Sequence, residues 1–355
     1  MNPLFELEPA GLVAHFLAHP PEGFRAWRTG AGVTLFTAPF DLLTTLDPAW
    51  LRRLRALRID GVLRRLFTWQ VCFAGSTVSE YLPLPRAVAP GALIDGLLQE
   101  WGGRTALLIL KDLPQDGDLV GAEDRAVAGG VLEACAQRGF LQVEGQALAW
   151  LPLAGLRDAR DWLQSLSTGR RRDFGRKLRS RRDLEVTILR TGCAELQDET
   201  LLGLLYGLYE QVYAQSEVHF DRLSAAFFRA VLQDAALCGV LFLYRDRSGV
   251  LIGFNLCFEH AGRLVDKYVG FAYPAAREHN LYFVSWAQNL DHAIARGLQS
   301  YIAGWTDPEI KARLGARFAF TRHAVYVRNP LLRAVLGRMT ALFEGDRARL
   351  GGGAG

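Results

Sequence analysis

Between Val240 and Phe271 three apolar runs, Val240–Tyr244, Leu251–Phe258 and Leu264–Phe271, follow one another closely. The breaks contain Asp246-Arg247-Ser248-Gly249 and His260-Ala261-Gly262-Arg263, residues that suit tight reversals. Breaks this short leave no room for a crossover, so the runs are predicted to pair as an antiparallel meander. The flanking pattern extends the arrangement. A strand is predicted over Leu184–Leu189, followed by a helix carrying Leu201, Leu204, Leu205, Leu208 and Val212 and a shorter one over Ala225–Leu232. After the meander, Phe283, Trp286, Ala287, Leu290 and Ile294 form the stripe of a long helix that Gly297 ends. A strand at Tyr301–Ala303, a short helix over Asp307–Leu314, a final strand over Phe318–Val327 and a Pro330-led helix complete the chain.

The first half alternates more loosely. Val33–Thr37, Thr105–Leu110 and Leu141–Val143 have strand character, while Pro48–Leu57, Gly91–Trp101 and Ala122–Arg138 carry the spacing of helices. This alternation predicts a mixed α/β fold. With 355 residues the chain exceeds one ordinary core, so two domains are expected. The expected division is 1–155, a basic helical linker over 156–183, a second domain over 184–345 and a loose tail over 346–355. The linker holds Arg170, Arg171, Arg172, Arg176, Lys177, Arg179, Arg181 and Arg182, with Phe174 and Leu178 four apart to seat a helix on the protein.

Composition removes several function classes. Half of the residues are apolar and the net charge is only +4, which fits a globular protein rather than a dedicated nucleic-acid binder. No apolar stretch reaches the roughly 20 residues needed to span a bilayer. Met1 to Gly23 has no Lys or Arg ahead of an apolar run, so no secretory signal is expected and a cytoplasmic location is. Cys72, Cys135, Cys193, Cys238 and Cys257 form no CxxC pair and are expected as small buried residues; no metal site is expected.

The order of elements resembles the GNAT N-acetyltransferase core, and local sequence sharpens the likeness. Lys267-Tyr268-Val269-Gly270-Phe271 leads into Arg277-Glu278-His279-Asn280-Leu281-Tyr282-Phe283, then Gly304 and Lys311-Ala312-Arg313-Leu314-Gly315-Ala316. With Leu166-Ser167, the basic helix and Lys111-Asp112-Leu113-Pro114, these stretches are similar to the FemAB-like, peptidoglycan-biosynthesis-type branch. The resemblance implies two GNAT-like domains packed side by side, the C-terminal one better preserved, with the site in the cleft between them. It implies transfer of an acyl or aminoacyl group to a small-molecule amine, from acyl-CoA or from an aminoacyl-tRNA. A peptide ligase that holds tRNA on the basic helix, and a binding module without catalysis, are the alternatives.

Acyl transfer to an amine needs a held donor, a route for the amine proton and a group facing the developing oxyanion. Gly270, Ala275, Ala276 and Arg277 lie where a strand end meets a helix start, a place suited to phosphate or to an ordinary connection. The usual GNAT loop has closely spaced small residues after an Arg or Gln, whereas this one reads Phe271-Ala272-Tyr273-Pro274-Ala275-Ala276-Arg277. Lys311 matches the lysine that serves the phosphate-bearing ligand in Fem-type relatives, with Ile310 where an aromatic is usual; without the resemblance it reads as a solvated lysine. Asp266, Tyr268 and Tyr282 are the catalytic candidates, Asp266 and Tyr268 being two apart and so expected on one strand face. Asp266 reads equally as a strand charge paired with Lys267 or Arg263, and His219 and His279 are weaker bases. Arg171, Arg172, Arg176, Lys177 and Arg179 are the anion or tRNA contacts, or else a solvated face.

Overall fold

A computed structural model describes residues 4–41, 68–86, 89–216 and 219–338. In chain order the first elements are α1 (Gly11–Ala18), β1 (Arg25–Arg28), β2 (Thr34–Asp41), β3 (Thr68–Ala74), α2 (Pro90–Leu97), β4 (Leu107–Pro114), α3 (Ala122–Gln137) and β5 (Leu141–Pro152). Then come α4 (Ala159–Ser165), α5 (Thr168–Lys177), β6 (Leu184–Arg190), α6 (Glu199–Gln215), α7 (Ala225–Gln233), β7 (Gly239–Asp246), β8 (Leu251–His260) and β9 (Arg263–Phe271). The chain finishes with α8 (Ala275–Glu278), α9 (Leu281–Ala295), β10 (Ser300–Gly304), α10 (Pro308–Arg313), β11 (Arg317–Val327) and α11 (Pro330–Arg338). The helix expected over Pro48–Leu57 and the tail 346–355 lie outside the described residues.

The elements gather into two units that do not follow the expected division. One unit comprises Met1–Glu6, Pro20–Ala147 and Ala319–Gly355; the other comprises Leu7–His19 and Leu148–Phe318. The segment expected as a linker, 156–183, belongs within the second unit, because Trp162 and Phe174 bury their rings in its core. The final strand does not extend the sheet of the meander: β11 pairs antiparallel with β4 in the first unit, from Thr321 against Pro114 to Val327 against Leu107. Helix α1 joins the second unit instead, where His15 Nε2 lies 2.8 Å from Asp234 Oδ2.

In the first unit β1, β2 and β3 pair antiparallel and β3 pairs parallel with β4. Asp112 takes a left-handed conformation, φ 58°, where the β4–β11 register shifts between Arg322 and Ala324. Its backbone N–H donates to His323 Nδ1 at 2.9 Å. That bond requires an unprotonated Nδ1, and burial holds the imidazole below the ordinary histidine range.

The second unit is built on the meander as predicted. β6, β7, β8 and β9 pair antiparallel in chain order, and β10 joins β9 parallel over Ser300–Ile302 against Arg263–Val265. Residues Ala149–Pro152 of β5 flank β10 on its other side. One sheet face carries α9 over a core that includes Phe242, Tyr244, Leu264, Trp286 and Leu290. The other receives α6 and α7, whose Phe227 and Phe228 set their rings edge-on to Tyr268. Cys238 departs from its expected burial: it is exposed, closing a one-turn 3-10 segment at φ 51° before β7 begins. Among the described residues no helix is long and apolar enough to cross a membrane, and no three His, Cys, Asp or Glu side chains are placed to hold a metal ion.

Glycine has a packing role at the end of the meander. Phe254 pairs across the strands with Gly270, and Phe271 with Gly253. A Cβ on Gly270 would enter the Phe254 ring and reach within 2.8 Å of Leu208 Cβ. Gly270→Ala is therefore expected to destabilise the second unit by about 1–3 kcal/mol through overpacking. A thermal melt that matches the native protein would show that the strands yield to the added methyl.

Candidate functional site

The site grows from the place where two parallel strands part. Among the described residues, β9 and β10 stop pairing after Val265 and Ile302, while β9 continues to Phe271 bound to β8. At the fork Gly304 turns the chain with φ 79°, and a short segment leads into α10. That helix brings Lys311 back into the fork. The side chain is buried, with 4% of its surface exposed, and its Nζ donates to the Ala303 carbonyl at 2.5 Å. A Cβ on Gly304 would stand 3.9 Å from this Nζ and 3.8 Å from the Asp266 carbonyl oxygen. Lys311 is thus not a solvated lysine: its amine is placed between the separating strand ends.

Behind the fork lies a buried polar network. The Asp266 carboxylate accepts hydrogen bonds from Asn255 Nδ2 at 2.6 Å, Tyr301 OH at 2.7 Å and Asn289 Nδ2 at 3.1 Å. Asn289 also donates to Tyr301 OH at 3.1 Å. Three donors from β8, α9 and β10 hold this carboxylate in place by engaging lone pairs on both of its oxygens. Asn255, Asn289 and Tyr301 were not among the sequence candidates. Their signal was faint but present: Asn255 and Asn289 are amides set within apolar runs where an unpartnered polar group would be costly.

Asp266 and Tyr268 do not share a face. The β8–β9 register shifts between Leu256 and Cys257, which pair with Tyr268 and Asp266, so Lys267 is the extra residue of a β-bulge. The bulge breaks the alternation that the spacing of two assumed. Asp266 faces α9, whereas Tyr268 packs between Phe227 and Phe228 on the opposite side.

Tyr282, in the first turn of α9, stays with the Asp266 side. Burial raises the pKa of its hydroxyl well above the ordinary phenol range, and the negative charges of Asp307 and Asp266 push the same way. The hydroxyl is buried and has no hydrogen-bond partner among the described residues. It is a protonated donor at neutral pH.

The loop before α8 is closed on itself. The N–H groups of Ala276, Arg277, Glu278, His279 and Asn280 donate to the carbonyls of Ala272, Pro274, Pro274, Ala275 and Arg277. Tyr273 N–H donates to Gln211 Oε1 at 3.2 Å, and Gly270 belongs to β9. Arg277 is exposed, bonds Gln215 Oε1 at 2.5 Å and lies over the Tyr273 ring. The amides expected to cradle a phosphate beside Gly270, Ala275 and Ala276 are therefore largely spent within the loop. His219 sets its ring against Tyr213, and neither it nor His279 joins the Asp266 network.

The basic run divides into two groups. Asp173 holds Arg176 and Lys177, each at 3.1 Å, and Lys177 also lies 3.9 Å from the centre of the Phe283 ring. Arg181 bonds Asp291 at 2.5 Å and Gln288 at 2.6 Å. Arg170, Arg172, Arg179 and Arg182 are exposed and make no ion pair among the described residues; Arg171 reaches only the Gln164 carbonyl, at 3.4 Å.

A family model described as FemAB-like, peptidoglycan biosynthesis/recognition, matches residues 110–341. No curated protein sequence matches the chain. Among solved structures, L-PGS from Bacillus licheniformis superposes with a TM-score of 0.55 at 11% identity, covering 94% of this chain and 98% of that one. The C-terminal domain of a putative lysylphosphatidylglycerol synthetase from Agrobacterium fabrum gives 0.55 at 12% identity over 94% and 90% of the two chains. FemX gives 0.52 at 12% identity over 91% and 97%. At such identity these likenesses establish the fold, a mixed α/β one, and not the chemistry.

Removing the Tyr301 hydroxyl takes one donor from Asp266 and one acceptor from Asn289. Tyr301→Phe is expected to cost about 1–3 kcal/mol, read as a lower urea midpoint at unchanged slope. An unchanged midpoint would mean that the network contributes nothing to stability.

Proposed function

The chain belongs to the FemAB-like family, and from that premise we propose that it transfers an acyl or aminoacyl group from a thioester or ester donor to an amine. The observation that carries this reading is the buried Lys311 Nζ, held at the Ala303 carbonyl in the β9–β10 fork, where the Gly304 turn lies beside the Asp266 backbone. In such a transfer the amine nitrogen bonds to the donor carbonyl carbon, the carbon–oxygen or carbon–sulfur bond breaks, and the amine gives up a proton. Lys311 and Tyr282 are donors suited to the oxyanion and the departing oxygen or sulfur. Asp266, already holding three donors, orients Tyr301 and Asn289, and water takes the amine proton.

The ester form of the donor, an aminoacyl-tRNA, is favoured over acyl-CoA by two features. The α8 loop has few amides left for a pyrophosphate, and the exposed Arg170, Arg171 and Arg172 offer charge to a nucleic-acid backbone. The acceptor in this reading is a small-molecule amine and the setting is the cytoplasm. A module that binds such ligands without catalysis is the rival.

Two measurements separate these readings. Lys311→Met is expected to lower transfer roughly 10²–10³-fold and Tyr282→Phe by about 10–10², with circular dichroism unchanged. A Lys311→Met protein that still transfers at the native rate would remove the proposal. Binding of aminoacyl-tRNA is expected to weaken with a log–log salt slope of about −2 to −3 if the three arginines meet phosphates. A flat salt dependence with retained thioester binding would return the donor to acyl-CoA.

A further inference from the structure

A cleft of about 870 Å³ lies within the second unit between α4, the 3-10 turn Leu178–Asp183 and α9. Its size is that of a small-molecule site. Four arginines line it, Arg160, Arg179, Arg181 and Arg182, against two aspartates, Asp158 and Asp291. The aspartates are already engaged. Asp291 accepts from the Ala159 N–H at 2.8 Å and from Arg181, while Asp158 caps α4 by accepting from the N–H groups of Arg160 and Asp161. Arg181 is thereby a pillar of the wall. Arg160, Arg179 and Arg182 have no ion-pair or hydrogen-bond partner among the described side chains, so three guanidiniums share one concavity without a counter-charge of their own.

The floor is aliphatic. Leu163, Leu178, Ala159 and Ala287 line it, and no aromatic ring does. Guanidinium forks match the oxygens of a phosphate, and an aliphatic floor takes a hydrocarbon, whereas a nucleobase would call for a stacking ring. We infer that this cleft binds an aliphatic phosphate ester, held by Arg160, Arg179 and Arg182 with its carbon chain along Leu163 and Leu178. This site is separate from the Lys311 fork, uses Arg160 from outside the basic run, and does not depend on the transferase reading.

Isothermal titration of the full chain with hexyl phosphate, at fixed ionic strength, tests it. Saturable binding is expected at least about 10-fold tighter than that of inorganic phosphate or uridine monophosphate. Arg179→Gln/Arg182→Gln is expected to weaken it by about 10-fold or more, while Arg170→Gln/Arg172→Gln, with the same charge loss on the exposed side of α5, changes it less than about 2-fold. The inference is overturned if hexyl phosphate shows no saturable binding. It is equally overturned if the two double variants lose affinity alike, or if uridine monophosphate or a short RNA hairpin binds as tightly. Flotation with phosphatidylglycerol vesicles against phosphatidylcholine vesicles identifies the source: retention that Arg179→Gln/Arg182→Gln abolishes points to a lipid, and binding of the dissolved ester alone points to a soluble metabolite.

Discussion

The second unit depends on one junction, the fork at which β10 leaves β9. Strand separation exposes backbone carbonyls and amides that a continuing ladder would have satisfied, and in a buried setting each must find another partner. Lys311 answers part of that demand by donating to Ala303, which explains how a lysine comes to be buried on a six-residue helix. Gly304 supplies the left-handed turn, φ 79°, that carries the chain out of β10 towards α10. An amine so held differs from that of a surface lysine: the fold fixes its position before any ligand arrives.

The network behind the fork shows why a carboxylate near a site need not be its base. Asp266 gathers donors from three elements, and they engage lone pairs on both of its oxygens. Its work is geometric: it fixes Asn289 on α9 and Tyr301 on β10 relative to β9. Tyr282 is placed differently, since its hydroxyl has no acceptor among the described residues and burial keeps it protonated. In the proposed transfer, Tyr282 and Lys311 are therefore the donors and the aspartate is the support.

The meander and the long α9 were legible because each rests on local pattern: apolar runs, turn residues and a helical stripe. What local pattern does not encode is the choice of partner. β11 has the same alternating character whichever sheet it joins, and its pairing with β4 is set by contacts some 200 residues apart in sequence. The same limit hid the length of β5, whose expected span of Leu141–Val143 grows to Leu141–Pro152. The bulge at Lys267 is a further case. One inserted residue reverses the facing of everything after it, so a spacing of two between Asp266 and Tyr268 reports opposite faces rather than one.

The basic run teaches a related distinction between charge that is present and charge that is available. Eight cations from Arg170 to Arg182 suggest a uniform electrostatic surface. Asp173 instead engages Arg176 and Lys177 within α5, while Arg181 on Asp291 and Lys177 over the Phe283 ring anchor the segment to α9. The remaining arginines divide between the exposed side of α5 and the concave wall beside Arg160. Exposed arginines on a helix suit an extended polyanion, whereas a concavity with an aliphatic floor suits a compact one with a carbon chain. The fold therefore divides between two surroundings the arginines that the sequence presents as a single stretch.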